Sequence, residues 1–357
     1  MKQVKIAVAG AGLIGKTHIK LVSENNQSTL SAIVDPFPSA QAIANEYGVK
    51  VYSSLEELFA QDKPDGVILA TPNKLHAIQA HECIQAGVPA IVEKPVTDSI
   101  DDAIELFKHA KREETKMLVG HHRAYSPLLE KAKSIIDSGE LGKTVSIMGC
   151  AMFYKPDDYY DEGPWRKVKG GGPILINMIH EIGNLRHLVG DIVGVQALNS
   201  NATREFEVED TTVISLRFTN GTLGSFLLSD SSASPRSWEQ TSQENKSYAT
   251  YETEDCYHVA GTKGSLSIPT MQIKTFQNEV TPSWWNAMEE RQEEVTREDP
   301  LKRQLEHFCA LIRGDENTPR VSVYDGLQNL LVVDAIIKAT ETEAYVSVQD
   351  VSVLIDK

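Results

Sequence analysis

Over roughly its first 120 residues the chain alternates short apolar runs with amphipathic stretches, and that rhythm narrows the choice of folds more than any other feature. Strands are expected at 5–9, 30–35, 66–70, 90–93 and 116–120, and helices at 14–23, 39–47, 55–61, 74–86 and 100–113. Strand–helix alternation of this kind builds a parallel sheet with helices on both faces. The remainder has another texture. The stretches 143–154, 208–218, 222–229 and 256–268 read as longer strands rich in β-branched residues, and Thr219-Asn220-Gly221-Thr222 between two of them suits a type I′ hairpin turn. Asp299-Pro300 opens a helix that Gly314 closes, and Ser322 with Asp325 caps another reaching about Thr340. The expected domains are 1–122 and 123–357, with the last helices free to pack back on the first. The segment 231–250 is polar and aperiodic, and a loop of that length is usually functional or disordered.

With 357 residues, 41% of them hydrophobic, each domain can bury its own core. The formal net charge of −15 speaks against nucleic acid or an anionic membrane as partner, since both need a basic surface. No segment reaches the apolar length of a membrane span. The N-terminal apolar stretch is too short for a signal peptide and runs into a glycine turn, so it reads as a first strand, and the cysteine pattern makes a cytoplasmic location the expected one. Cys83, Cys150, Cys256 and Cys309 are scattered without a CxxC pair, which implies reduced, mostly buried thiols and neither disulfide nor metal site.

Gly10-Ala11-Gly12-Leu13-Ile14-Gly15 fits GxGxxG and lies between a strand and a helix, the context a dinucleotide-binding Rossmann motif requires. The first glycine makes the turn, the second lets backbone approach the pyrophosphate, and the third permits close helix–strand packing. Asp35, twenty residues after Gly15, can accept from the adenosine ribose hydroxyls and would repel a 2′-phosphate. Pro36-Phe37-Pro38-Ser39 brings no cation for such a phosphate, so the expected cofactor is NAD. A plain turn residue is the alternative for Asp35. The fold class is therefore α/β, an N-terminal doubly wound Rossmann sheet followed by an α+β domain with a mostly antiparallel sheet.

Two further clusters carry chemistry. Glu93-Lys94-Pro95 ends an apolar strand, at the edge where open α/β sheets bind ligands. Lys94 there can donate to a substrate oxygen while Glu93 holds it, and a surface ion pair is the alternative. Gly170-Gly171-Gly172-Pro173 then heralds a helix on which Asn177, His180, Asn184 and His187 form a polar stripe, so that Asn177 and Asn184 are placed to orient His180. A hydrogen-bonded core histidine is the alternative.

With these pieces in order, the chain resembles the Gfo/Idh/MocA family, named for glucose–fructose oxidoreductase, inositol dehydrogenase and rhizopine catabolism. The resemblance spans essentially the whole chain. It rests on Gly10–Gly15, Ala70-Thr71-Pro72-Asn73 with His76, Glu93-Lys94-Pro95, the run from Gly170 to Glu181, and Gly261-Thr262-Lys263-Gly264-Ser265-Leu266. It implies that Lys94 contacts the reacting hydroxyl and that His180 takes its proton. Thr71, Pro72, Asn73 and His76 would lie along the cofactor, with Glu93 anchoring that region. It also implies an open second sheet whose free face forms homodimers or homotetramers. One departure stands out: the family's Asp one turn before the histidine is Ile176 here, and Asn177 is the nearest polar substitute.

The expected reaction is oxidation of a secondary alcohol to a ketone, or the reverse, on a small polyhydroxylated molecule such as an inositol or sugar. Arg123, Trp165 and Arg166 are candidate substrate contacts, with Tyr154 after them and Trp238 and His258 last. Core packing for Trp165 and a buried ion pair for Arg123 are the alternatives. Two other functions keep the same fold: NAD-dependent cleavage of a glycosidic bond without net redox change, and a non-catalytic NAD-binding regulator. The presence of both Lys94 and His180 weighs against the second of these.

Overall fold

Strands buried on both faces read as nearly continuous apolar runs, and the first sheet is made of such strands. Its elements follow one another as β1 (Val4–Ala9), α1 (Leu13–Glu24), β2 (Ser28–Val34), α2 (Ser39–Tyr47), β3 (Lys50–Tyr52), α3 (Leu55–Gln61), β4 (Gly66–Leu69), α4 (Asn73–Gln85), β5 (Ala90–Val92), α5 (Ile100–Arg112) and β6 (Met117–Val119). The computed structural model describes residues 3–277 and 280–355. All pairings in this sheet are parallel, in the order β3-β2-β1-β4-β5-β6. The order reverses between β1 and β4, the crevice where such sheets bind ligands outside their strand ends. Because the strands are parallel, the residues that follow β1, β4 and β5 emerge at one edge. The helices are locally specified. Ser54 and Ser99 cap α3 and α5 by accepting from the N–H groups of Glu57 and Asp102. Asp101 and Asp102 in the first turn of α5, with Lys111 and Arg112 in the last, complement its dipole.

This sheet belongs to a unit comprising the chain to His122, Leu301–Leu330 and the segment from Val351. The second unit comprises Arg123–Pro300 and Leu331–Asp350. Its elements are α6 (Pro127–Asp137), β7 (Thr144–Met152), α7 (Asp157–Asp161), α8 (Ile179–Val189), β8 (Ile192–Ser200), β9 (Thr211–Phe218), β10 (Leu223–Ser229), α9 (Trp238–Thr241), β11 (Tyr257–Gly261), β12 (Gly264–Ile268), β13 (Gln272–Thr275) and β14 (Glu289–Gln292). After it come α10 (Pro300–Arg313), α11 (Val323–Thr342), which runs from the first unit into the second, β15 (Val346–Ser347) and α12 (Val351–Ile355). Among the described residues the second sheet has the order β14-β13-β12-β11-β7-β10-β9-β8-β15, antiparallel except where β10 meets β7. Its covered face packs Ile147, Val195, Ile214, Phe226 and Val259 with Leu129 and Ala132 of α6 and Ile182 and Leu185 of α8. Ser322 and Asp325 bond reciprocally as a capping box at the start of α11.

Two expectations need correction, and the alternatives for a third segment narrow to one. The stretch 256–268 is two strands, β11 and β12, folded back at Gly261, where a Cβ would lie 2.1 Å from the Leu141 carbonyl oxygen. The 219–222 turn is not type I′, which needs positive φ at both central residues. Gly221 alone has it, at 84°, and bonds between Gly221 N and Phe218 O and between Phe218 N and Thr222 O make a three-residue loop with a glycine bulge. The segment 231–250 is anchored by α9, whose Trp238 is buried. The four cysteines are free thiols, and burial pushes those of Cys150 and Cys309 up to about 11. No helix among the described residues is long and apolar enough to cross a membrane.

Candidate active site

In the first unit the glycine loop is fixed by what a side chain would strike. Gly10 has φ of 91°, and a Cβ on it would meet the Ala70 carbonyl oxygen at 2.5 Å. A Cβ on Gly15 would meet the Gly10 carbonyl oxygen at 2.0 Å, so α1 can leave β1 this closely only at a glycine. Gly12, at the N-cap of α1, faces open space. Leu13 beside it is 87% exposed, and Ile14 is also exposed. Apolar side chains left in water at a helix N-terminus, beside unpaired N–H groups, suit the pyrophosphate and flanking rings of a dinucleotide. Asp35, just past β2, accepts from Ala11 N (2.8 Å) and Phe37 N (2.9 Å). It therefore shapes the glycine loop while keeping acceptor capacity for a ribose.

The strand ends beside it are tied together. Pro72 stands immediately before α4 and Asn73 begins it. The buried His76 ring places its two nitrogens 2.8 Å from Pro95 O and 2.9 Å from Thr71 O, linking the loops after β4 and β5. Thr71 Oγ1 donates to Gln79 Oε1 at 2.5 Å. Glu93 is buried: burial alone would raise its carboxyl, but the 2.8 Å hydrogen bond from His18 Nε2, with the charges of His18, Lys94 and His122, holds it down to about 2. Its other oxygen accepts the Lys94 backbone N–H at 3.2 Å. The half-buried Lys94 is thus set on a backbone clamped by an ionised carboxylate.

In the second unit the glycine run leads into a π-helical turn, Ile174–Met178, before α8. Such turns concentrate at functional sites. Asn177 lies on that turn and the half-buried His180 is the second residue of α8. Each of the two asparagines flanking His180 has a partner outside its own helix. Asn177 Oδ1 accepts from Lys155 Nζ (2.7 Å), and Asn184 Nδ2 donates to Tyr257 OH (2.8 Å). For Arg123 the buried ion pair is what the structure has: it bonds Glu181 at 2.5 Å and also pairs with Glu239, while Tyr257 donates to Glu181. Burial raises the Glu181 carboxyl, against the pull of Arg123. Trp165 is half-exposed and so not a core residue, and Arg166 stacks on Tyr159 with its Cζ 3.8 Å from the ring centroid. Tyr154 is exposed, with the Arg204 guanidinium 5.1 Å from its ring centroid. Trp238 packs on Tyr257, and His258 bonds Ser267 Oγ at 2.9 Å.

Lys155 escaped the sequence reading. It is buried, 3.5 Å from Asp230 Oδ2 and 4.9 Å from the centroid of Tyr159. Burial lowers its pKa to about 8 against the opposing charge of Asp230. One signal could have found it: Lys155-Pro156 after β7 repeats the Lys94-Pro95 pattern after β5.

Both halves of the chain match known sequence profiles. Residues 4–121 match the oxidoreductase family with NAD-binding Rossmann fold, and residues 129–267 match the GFO/IDH/MocA C-terminal domain. The chain belongs to the Gfo/Idh/MocA family. Inositol 2-dehydrogenase of Rhizobium meliloti strain 1021 is 26% identical over 97% of this chain and 99% of its own length. The WlbA dehydrogenase from Bordetella pertussis, solved in complex with NADH and UDP-GlcNAcA, superposes with a TM-score of 0.77 at 25% identity, over 98% of this chain and 100% of that one. An oxidoreductase from Agrobacterium radiobacter, solved with NAD+, L-tartaric acid and magnesium, shares the fold at a TM-score of 0.81 and 17% identity, covering 97% and 99%. As a Gfo/Idh/MocA protein the chain is an NAD-dependent oxidoreductase, and the glycine loop, exposed helix N-terminus and Asp35 fit that cofactor.

Proposed function

We propose that this enzyme oxidises a secondary alcohol to a ketone, or runs the reverse, on a small polyhydroxylated substrate of the inositol or sugar type. The observation that carries the reading is the shared strand edge of the first unit, where the Gly10–Gly15 loop, Asp35, Thr71 and the Glu93-clamped Lys94 emerge together. NAD, when bound, supplies the hydride acceptor. Asp35 holds the adenosine ribose, and the N–H groups at the start of α1 hold the pyrophosphate. Lys94 presents a cation to the substrate oxygen and steadies the developing alkoxide. His180 takes the hydroxyl proton as general base. Substrate names enter from relatives such as the inositol 2-dehydrogenase of Rhizobium meliloti. Trp165, Arg166, Tyr154 and Asn177 are the proposed substrate contacts; Arg123, engaged on both sides by carboxylates, acts by holding Glu181 beside His180.

The test is a panel of inositols, aldoses, sugar acids and cyclic dihydrodiols with NAD, following reduced nicotinamide. Lys94→Ala and His180→Ala are expected to cut turnover about 10²–10⁴-fold, with dinucleotide binding largely kept. Variants that turn over like the parent would show the two roles to be misassigned.

A further inference from the structure

The chain carries a net charge of −15, yet its second unit gathers cations around one aromatic ring. Lys155 Nζ lies 4.9 Å and Arg166 Cζ 3.8 Å from the centroid of Tyr159. Asp230 is the carboxylate that pairs with Lys155, with Glu239 and Glu209 acting from further off, and Asp230 is already shared: Arg204 Nε lies 3.3 Å from it and Tyr160 donates to it at 2.6 Å. Arg166 donates to the Tyr159 carbonyl and stacks on Tyr159 and Trp165, and among the described residues no carboxylate pairs with it. The half-buried Glu209 is tied to Ile174 N at 2.8 Å, and Glu239 is taken by Arg123. The acids of α7 face water, with the side chain of Asp157 90% exposed and that of Asp161 73%. Like charges held together under burial repel, and Arg166 adds to the lowering of Lys155. An arrangement this costly to the free protein is relieved by an anion.

We infer that Lys155 and Arg166 form an anion subsite beside Tyr159, so that the substrate is a polyhydroxylated anion, a sugar acid or sugar phosphate, rather than a neutral polyol. Asn177 holds the Lys155 ammonium against the turn that leads to His180, which couples the subsite to the proposed base. The inference rests on the proposed function only in taking the second unit as the substrate's.

The test is calorimetric binding to the NADH-loaded enzyme of hexuronic and aldonic acids, their neutral parent sugars, and the matching 6-phosphates. An anion is expected to bind at least tenfold more tightly than its neutral parent, and more weakly as salt rises. The acid and phosphate arms decide which group the subsite takes. Arg166→Gln should erase the preference and Arg166→Lys should keep part of it, with a thermal melt checking each fold; the wild-type comparison stands even if a variant fails to fold. Neutral sugars binding as well as the anions, or no anion of either class binding, overturns the subsite. An anion that binds with this preference but never reduces NAD keeps the subsite and removes the dehydrogenase reading. Neutral polyols oxidised as fast as acids, with Arg166→Gln unaffected, does the opposite.

Discussion

At the scale of single residues, the glycines of the first loop separate folding from binding. Gly10 is demanded by the fold, since its φ of 91° and the 2.5 Å approach of Ala70 O leave no room for a methyl group. Gly12 is not, because nothing in the protein lies within 4 Å of where its Cβ would be. Gly10→Ala should therefore cost about 2–3 kcal/mol of stability. Gly12→Ala should leave stability within about 0.5 kcal/mol while weakening NAD at least tenfold, about 1.4 kcal/mol. Thermal melts and dinucleotide titration of both variants decide it, and equal loss of affinity and stability in Gly12→Ala would sink the distinction. This contrast also marks how far the site is legible in sequence. Gly10, Gly12, Gly15 and Asp35 are read from a local motif, because one strand–helix junction and the cofactor it is built to hold set their spacing. Lys155 is not, because its meaning comes from Asn177 and Asp230, which only tertiary folding brings near. The partners Lys155 and Tyr257 of Asn177 and Asn184 are out of reach of sequence for a related reason: helical spacing places side chains on one face but does not say which partner each will find.

Elements show the same division. Even the short helices α2 and α3 fall where amphipathic spacing and Ser54 place them, whereas the three-residue edge strand β3 is too short to carry a period. Asn220 signals a type I′ turn, but its side chain donates to Val189 O and accepts from Thr222 N, and only Gly221 takes positive φ. Between elements, buried carboxylates make two opposite pH predictions. Glu93, which ties β5 to α1 through His18, has a folded pKa of about 2, below its ordinary value near 4.5. Its stabilising contribution is present above pH 4.5 and lost as pH falls toward 2. Glu93→Gln should thus cost about 3 kcal/mol at neutral pH and progressively less below pH 4, measured by urea unfolding. Glu244, in the loop around α9, is pushed by burial up to about 7 although Ser126, Trp238, Arg123 and Arg297 draw it down. A raised folded pKa stabilises below the unfolded value and is lost as pH rises through 7. Amide exchange at 237–244 should accelerate between about pH 4.5 and 7 beyond its intrinsic rise, and Glu244→Gln should remove that excess. An excess unchanged in the variant would assign the loosening to another group.

For the whole molecule, the decisive feature is the face of the second sheet that no helix among the described residues covers. Strand register aligns Leu198, Val213, Leu227 and Cys150 as one row across β8, β9, β10 and β7. Met148 lies in the next row opposite Ser225 and His258. Leu198, Val213 and Met148 are each more than half exposed. An antiparallel sheet with one face in water ordinarily alternates apolar-in with polar-out, and a contiguous apolar row on the outer face marks an interaction surface. A second copy is the economical partner, because a two-fold axis through such a row sets it against itself. The expected result is a homodimer or larger at micromolar concentration by sedimentation. Val213→Glu would place two charges opposite each other at the axis and shift the protein toward monomer. The substitution removes no buried contact, so the isolated chain should lose no more than about 0.5 kcal/mol, and any larger fall in melting temperature should depend on protein concentration, because association stabilises by mass action. A wild-type protein that sediments as a monomer, or a Val213→Glu variant that assembles like the parent, would locate the interface elsewhere.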